Sequence, residues 1–508
     1  MSLLERVVVP PRLALIHRAG ETVGYNPAIN RWEYVDEEAA EVLRWLRAGR
    51  SRESLVPFMA RRFSSTSIAA EERVDQILKW LILRRLLYLG QVPDLPPITA
   101  PKQPLAVIYW ICTQACNLRC TYCYQSAAVA HPNELSTAEG LRLIDSVVEA
   151  GATSFVFTGG EPFTRPDLMT LAQHSRRVGL RTNVITNGHY ISPENIDDVA
   201  ATFNNVTVSL DHGLPVHHDC NRGVGSWAKA VAGIDLLLDA GVPVDVNSVL
   251  SHYGLQDIEQ LVSFIRERPL GDHRIVPQFP MGRGRGARAR RGEITEEELL
   301  ALNDRLEAAR RSARESDAQT RISPEGSYGQ KMARRNHCGA GLSEVSVDPQ
   351  GWVYPCKLLQ YPEFRTDNVR DRSLADIVAR HPVLKRARAS VTDTLEPCRT
   401  CIIKNHCGGG CRGIHFSFTH DYIKAHPLFC AYLRRTFETQ AWASTGKQPP
   451  PRRSHFEYPD EPDDPENLLG SDSFNADAGA CGVGSSDEAF IPVTSVRRRV
   501  SAGPAGYP

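Results

Sequence analysis

No stretch of the sequence holds the roughly 18 uninterrupted apolar residues of a membrane span, which excludes a chain built on spanning helices. Excess charge is missing too: Lys+Arg and Asp+Glu stand at 59 each, a formal net charge of +0. Nucleic acid and membrane surfaces usually demand a basic excess, so neither is expected as a partner. Met1-Ser2-Leu3-Leu4-Glu5-Arg6 shows no apolar h-region before a small-residue cleavage site, and a cytoplasmic location is expected. What the chain does hold is size and sulfur. Its 508 residues are 42% hydrophobic and 23% charged and include 13 cysteines, in a length that suits about three domains. In a reducing compartment, cysteines read as metal ligands rather than disulfides.

Cys116-Asn117-Leu118-Arg119-Cys120-Thr121-Tyr122-Cys123 places three thiols on one tight loop. That spacing can wrap one corner of an iron–sulfur cube and leave the fourth iron open to a small molecule. The plainer alternative is reduced core thiols, and Cys112, in a competing register, is read that way as a strand-end thiol. Cys-x3-Cys-x2-Cys with an aromatic residue before the last Cys resembles the signature of the radical S-adenosylmethionine (SAM) enzymes. Thr158-Gly159-Gly160-Glu161-Pro162, directly after an expected strand, resembles that family's glycine-rich turn. The resemblance implies that Gly159, Gly160, Glu161 and Pro162 hold the methionyl amino group of SAM, with Glu161 bracing the turn. It further implies Ser209 and Arg222 as carboxylate contacts, Arg supplying a charge-assisted fork, and Asn247 as a ribose contact.

Strands are expected at Leu105–Trp110, Phe155–Thr158, Thr182–Ile185, Val206–Leu210, Val244–Val249 and Arg274–Pro277, alternating with amphipathic helices. That alternation argues for parallel strands with crossover helices. Ser136-Thr137-Ala138-Glu139 matches a capping box, and Ser226 is expected to precede a helix that ends at Gly241. The fold class is therefore α/β, and the resemblance implies a partial (β/α)6 TIM-like barrel, which six βα units fit, with its reaction centre at the C-terminal strand ends. Six segments are expected: a winged-helix-like domain at 1–92, a Pro-rich linker at 93–103, the barrel at 104–292, a helical bridge at 293–335, an auxiliary-cluster domain at 336–442 and a disordered tail at 443–508. The arginines among glycines at 281–292 read as a solvated linker. Cys481 reads as an incidental thiol in the tail.

Within 1–92, apolar runs at Leu13–Ile16 and Trp32–Val35 flank the turn-prone Gly24-Tyr25-Asn26-Pro27. Helices are expected at Glu37–Ala48, at Arg52–Phe63 behind a Ser51 cap and at Ala69–Leu83, before a strand at Leu86–Leu89. This order resembles the peptide-recognition domain named after the pyrroloquinoline quinone biosynthesis chaperone, which implies capture of a precursor-peptide leader by strand addition.

In the last third, Cys338 is followed by Gly351-x4-Cys356, then Cys398-x2-Cys401-x5-Cys407-x3-Cys411 and Cys430. A zinc ribbon or disulfide framework does not explain the Cys407–Cys411 or Gly-x4-Cys elements. The pattern resembles the SPASM extension of radical SAM enzymes. Val345–Val347 and Trp352–Tyr354 are expected to pair around Asp348-Pro349-Gln350-Gly351 and to deliver Cys356. The resemblance implies three [4Fe-4S] clusters: one on Cys116, Cys120 and Cys123, a distal one on Cys398, Cys401, Cys407 and Cys430, and a proximal one on Cys338, Cys356 and Cys411. The proximal cluster is one cysteine short, so either an open iron or a substitute such as His337 is expected there.

The function implied is reductive SAM cleavage and radical modification of a ribosomally made precursor peptide, with a thioether or carbon–carbon crosslink as product. An external electron donor such as flavodoxin or ferredoxin is implied as well. A sulfatase-maturase-like oxidase forming formylglycine is the nearest alternative. An iron–sulfur DNA-binding regulator is the alternative of another class, and it needs the basic recognition helix that Arg44, Arg47, Arg50 and Arg52 only begin to supply.

Overall fold

The described residues up to 94 form a two-stranded and a larger antiparallel sheet backed by helices. β1 (Val7–Val8), β2 (Ala14–Arg18), β3 (Glu21–Asn26) and β4 (Arg31–Val35) precede helices Glu37–Arg47, Leu55–Arg62 and Ser67–Leu83, and β5 (Tyr88–Leu89) returns to pair with β1. The computed structural model describes residues 3–18, 20–51, 53–94, 98, 105–255, 257–286, parts of 294–308, 321–324, 334–443 and 455–457. Asp36 and Thr66 cap the first and third helices by accepting from the amides of Ala39 and Ala69. The second helix starts later than its sequence suggests, after Ser54, whose side chain makes no capping bond.

Gly24-Tyr25-Asn26 is not the expected turn but the end of β3, with Tyr25 and Asn26 fully buried. Gly24 is small for packing rather than for turning, since an added Cβ would meet Leu86 at 2.8 Å. Alternation along β2 sends its residues to two cores. Leu13 and Leu15 meet Leu43, Leu78 and Leu81 of the helices; Ala14 and Ile16, with Tyr25 and Trp32, meet Ile402, Phe437 and Trp442. The sheet is thus sandwiched between its own helices and the cysteine-rich third of the chain.

The six expected barrel strands are all present: β6 (Val107–Ile111), β7 (Ser154–Thr158), β8 (Arg181–Thr186), β9 (Asn205–Ser209), β10 (Val244–Leu250) and β11 (Asp272–Pro277). They lie side by side in chain order, each neighbouring pair parallel. The capping box at Ser136 and Glu139 forms, whereas Ser226 is the first helical residue, behind Gly225 at the cap. The sheet extends past both expected ends. β12 (Arg321–Pro324), from the segment read as a helical bridge, pairs parallel with β11. β13 (Glu344–Val347) pairs parallel with β6 and antiparallel with β14 (Val353–Tyr354). The expected hairpin therefore exists, turning at Gly351 with φ 92, but it is stitched into the central sheet.

The segment 443–508, expected to lack structure, contributes β15 (His455–Glu457), which pairs antiparallel with the outer edge of β2. Cys481, the arginines beyond residue 286 and most of the bridge lie outside the described residues. Among the described residues no helix is long and apolar enough to cross a membrane.

Trp110 anchors the barrel core. It is fully buried between Phe155, Phe157 and the Arg165 guanidinium, and it touches the position where Gly140 would carry a Cβ. Its indole N–H has no hydrogen-bond partner. Trp110→Ala is expected to cost about 3–5 kcal/mol in denaturant unfolding. Trp110→Phe, which keeps an aromatic ring and removes the unpartnered N–H, is expected to cost less than half of that.

Candidate functional site

Residues from all six barrel strands, or from the turns just after them, line one cavity of about 720 Å3. The loop after β6 brings Cys116, Cys120 and Cys123 to it. Local bonds fix that loop: the Cys116 amide donates to Ala128 O at 3.2 Å and the Cys123 amide to Cys120 O at 3.3 Å. Arg283 locks it from outside, its amide donating to Cys123 O at 3.0 Å and its guanidinium to Cys120 O at 2.9 Å and Ala127 O at 2.8 Å. The arginine-rich stretch read as a solvated linker thus begins with a structural clamp. Only the satisfied carbonyls of the cluster loop reveal it, and these are invisible in sequence.

Gly159 and Gly160 line the same cavity. Their reason for being glycine is the loop they touch. The Gly160 and Glu161 amides donate to Thr113 O and Ala115 O, both at 2.8 Å. A Cβ would stand 2.6 Å from Thr113 O at Gly159 and 2.0 Å from Ala115 O at Gly160. Glu161 lies behind the turn, fully buried, accepting from Asn187 N at 2.7 Å, Thr186 Oγ1 at 2.8 Å and Phe163 N at 3.1 Å. It therefore ties the β7 turn to the end of β8, and Pro162 opens the short 3-10 turn that follows.

Ser209, Arg222 and Asn247 also line the cavity. Arg222 is committed as a fork to the buried Asp211, at 2.9 Å through both Nε and Nη2. Asp211 further accepts from Tyr122 Oη and, at 3.1 Å, from Val249 N. Burial alone would raise this carboxyl, but the charge and fork of Arg222 hold it below its ordinary value. Sequence reasoning misses Tyr122 and Asp211 as site residues; the Leu210-Asp211 strand end is the one signal that could have found the pair. Asn247 leaves its buried Oδ1 without a partner, an acceptor that fits a ligand hydroxyl. Together with three thiols on one loop and a turn with no room for side chains, this matches the donor set SAM and an iron–sulfur cluster require.

Cys338, Cys356 and Cys411 line the cavity too. Burial pushes the Cys356 thiol up, and the charges of Glu344, Cys411 and Cys338 add to it. Cys398, Cys401, Cys407 and Cys430 form a separate group. Burial raises Cys430 to about 12, with smaller contributions from Cys398 and Cys401, and burial likewise raises Cys407, with contributions from Cys401, Cys430 and Cys398. Such thiols stay protonated until a metal displaces the proton. Among the described residues no three His, Cys, Asp or Glu groups converge on a single-ion site, and a cluster, unlike one ion, holds its thiolates apart. Cys112 is the strand-end core thiol expected, fully buried and pushed up to about 12 by burial. His337 does not suit the ligand role anticipated for it. Its Nδ1 accepts from Gly339 N at 2.8 Å and its Nε2 contacts Ala387 O at 2.9 Å, so both nitrogens are engaged.

Burial lifts Glu161 from 4.5 to about 7, against the three hydrogen bonds and the Arg222 charge that favour its ionised form. The fold therefore favours the protonated carboxyl. Its contribution to stability is complete below pH 4.5 and is lost as pH rises through about 7. Glu161→Gln is expected to flatten this trend, the wild type losing on the order of 3 kcal/mol relative to the variant across that window in denaturant unfolding without SAM.

Residues 110–265 match the Radical SAM superfamily and residues 338–402 match SPASM, an iron–sulfur cluster-binding domain. An AdoMet-dependent heme synthase of Methanosarcina barkeri is 27% identical over 345 residues, covering 64% of this chain and 96% of that protein. The mycofactocin maturase MftC of Mycobacterium ulcerans is 29% identical over 316 residues, covering 60% and 83%. Among solved structures, Streptococcus suis SuiB bound to S-adenosylmethionine superposes with a TM-score of 0.53 at 15% identity, covering 83% of this chain and 99% of that one. The Radical SAM match contains Cys116, Cys120 and Cys123 and the SPASM match contains Cys338 and Cys356, so the chain carries a Radical SAM domain and a SPASM iron–sulfur cluster-binding domain whose cysteines share one cavity.

Proposed function

We propose that the enzyme modifies a ribosomally synthesised precursor peptide, forming a thioether or carbon–carbon crosslink, with Cys116, Cys120 and Cys123 holding the SAM-binding cluster. The observation that carries this reading is the single cavity shared by those thiols and by Cys338, Cys356 and Cys411, which gives a substrate radical a second redox centre beside it. The bound cluster and SAM supply reductive cleavage to methionine and a 5′-deoxyadenosyl radical that removes hydrogen from substrate carbon. The chain's own residues orient and shield. Gly159 and Gly160 offer backbone to the amino group of SAM, Ser209 and Arg222 take its carboxylate, and Asn247 Oδ1 takes a ribose hydroxyl. Cys398, Cys401, Cys407 and Cys430 would hold a third cluster, which would exchange electrons with an external donor such as flavodoxin or ferredoxin.

The peptide leader docks on the N-terminal sheet. β15 covers the β2 edge, and the order β15-β2-β3-β4 leaves the β4 edge unpaired among the described residues. Beside it lies a groove of about 410 Å3 lined by Tyr34, Arg73, Ile77 and Trp80, among others. An added strand would draw main-chain bonds from β4 and side-chain pockets from the groove. Two relatives are named mycofactocin maturase and PqqA peptide cyclase, and a SuiB structure has the precursor peptide SuiA bound; both favour a peptide over the substrate of a heme synthase.

Anaerobically reconstituted enzyme, co-expressed with short peptides encoded beside it, is expected to release 5′-deoxyadenosine and to leave a peptide short of two hydrogens per crosslink. Cys120→Ala is expected to abolish both. Tyr34→Ala with Trp80→Ala is expected to raise the peptide KM by about fivefold for each aromatic ring removed, each ring being worth on the order of 1 kcal/mol, without changing peptide-free SAM cleavage. Unchanged turnover of every neighbouring peptide in the Tyr34 and Trp80 variant would remove leader docking at β4.

A further inference from the structure

We propose that Glu344 supplies a carboxylate as the fourth ligand of the auxiliary cluster held by Cys338, Cys356 and Cys411. The proposal rests on the cluster reading above and adds to it a residue that cysteine spacing does not indicate. A cubane cluster has four iron corners to occupy. Three thiols face the cavity at this end, and the other described auxiliary thiols, Cys398, Cys401, Cys407 and Cys430, are grouped apart from it. His337, the nearest ring in sequence, has both nitrogens engaged.

The chain folds Glu344 back onto Cys338. Gly339 O accepts from the amides of Leu342 at 2.9 Å, Ser343 at 3.0 Å and Glu344 at 3.3 Å, while Gly341 N donates to Glu344 O at 2.9 Å. Gly339 and Gly341, with φ of 99 and 71, permit this reversal, and Ala340 and Glu344 close it as a bridge. Glu344, six residues after Cys338 in sequence, therefore lines the same cavity as all three thiols. Its backbone is held by the central sheet, where Glu344 pairs with Val107 of β6. The donor is therefore placed by a fixed strand, as a ligand should be. Carboxylate oxygen binds iron but gives it less electron density than thiolate. By analogy with the higher potentials of clusters in which His replaces Cys, this cluster sits above an all-thiolate one in potential.

The test uses the full chain with Cys116, Cys120 and Cys123 replaced by Ala, so that only auxiliary clusters report, reconstituted anaerobically with iron and sulfide. Electron paramagnetic resonance of the reduced protein is recorded with and without cyanide, for Glu344, Glu344→Asp and Glu344→Ala. The expected result is a Glu344 spectrum that cyanide leaves unchanged and a Glu344→Ala spectrum that is altered and then shifts further with cyanide. If Glu344→Ala loses that cluster's iron altogether, retention by Glu344→Asp still supports carboxylate ligation, and loss from both variants alike overturns it. A cyanide shift as large in the Glu344 chain as in Glu344→Ala would mean an open iron and would overturn the assignment. Cys356→Ala in the same background should lower iron content by about half. Unchanged iron there would mean that the cluster itself is absent, a failure of the underlying reading that is distinguishable from a wrong ligand.

Discussion

The carbonyl oxygens of Thr113 and Ala115, each accepting at 2.8 Å from the glycine-rich turn, set the spacing on which the cavity depends. The loop that bears Cys116, Cys120 and Cys123 has no regular structure of its own, so its position is borrowed from β7. With a Cβ at residue 160 only 2.0 Å from Ala115 O, any side chain there would push the two turns apart. Backbone contact is stiffer than side-chain packing because it has no rotamers to relax through. The glycines thus serve the protein before they serve a ligand.

β6 acts as the common ruler for both halves of the site. On one side Ile108–Ile111 pair with Phe155–Thr158, which fixes the glycine turn; on the other Val107–Trp110 pair with Glu344–Val347, which fixes the hairpin leading to Cys356. The thiols of two domains are therefore registered against a single strand. Charge completes the arrangement. Asp211 and Arg222 compensate each other in the interior, as a buried ion pair must, while Arg283 commits its donors to cluster-loop carbonyls.

Much of this is legible in the chain itself. Short apolar strands alternating with capped helices announce β6 to β11, because burial on both faces leaves little else for such runs to do. Cysteine spacing announces Cys116, Cys120 and Cys123, since a ligand set carried on one loop must be close in sequence, whereas the grouping of the later cysteines is implied only by the family resemblance. What stays hidden is nonlocal. Gly24 looks like a turn because its partner, Leu86, lies sixty-two residues away. Arg283 looks solvated because the carbonyls it satisfies have no signature. β12 and β15 escape notice because a strand of three or four residues is defined by its neighbour rather than by its own alternation. His337 looks like a ligand from its proximity in sequence, and the hydrogen bonds that engage it are tertiary.

The pairing of His455–Glu457 with β2 sets an order in time. β2 is made more than 400 residues before the strand that covers its edge. Throughout elongation the nascent sheet presents that edge bare, the condition under which strands recruit partners from other chains. Chaperone capture during synthesis, rather than refolding of the finished chain, is where this topology places its greatest exposure to misassembly.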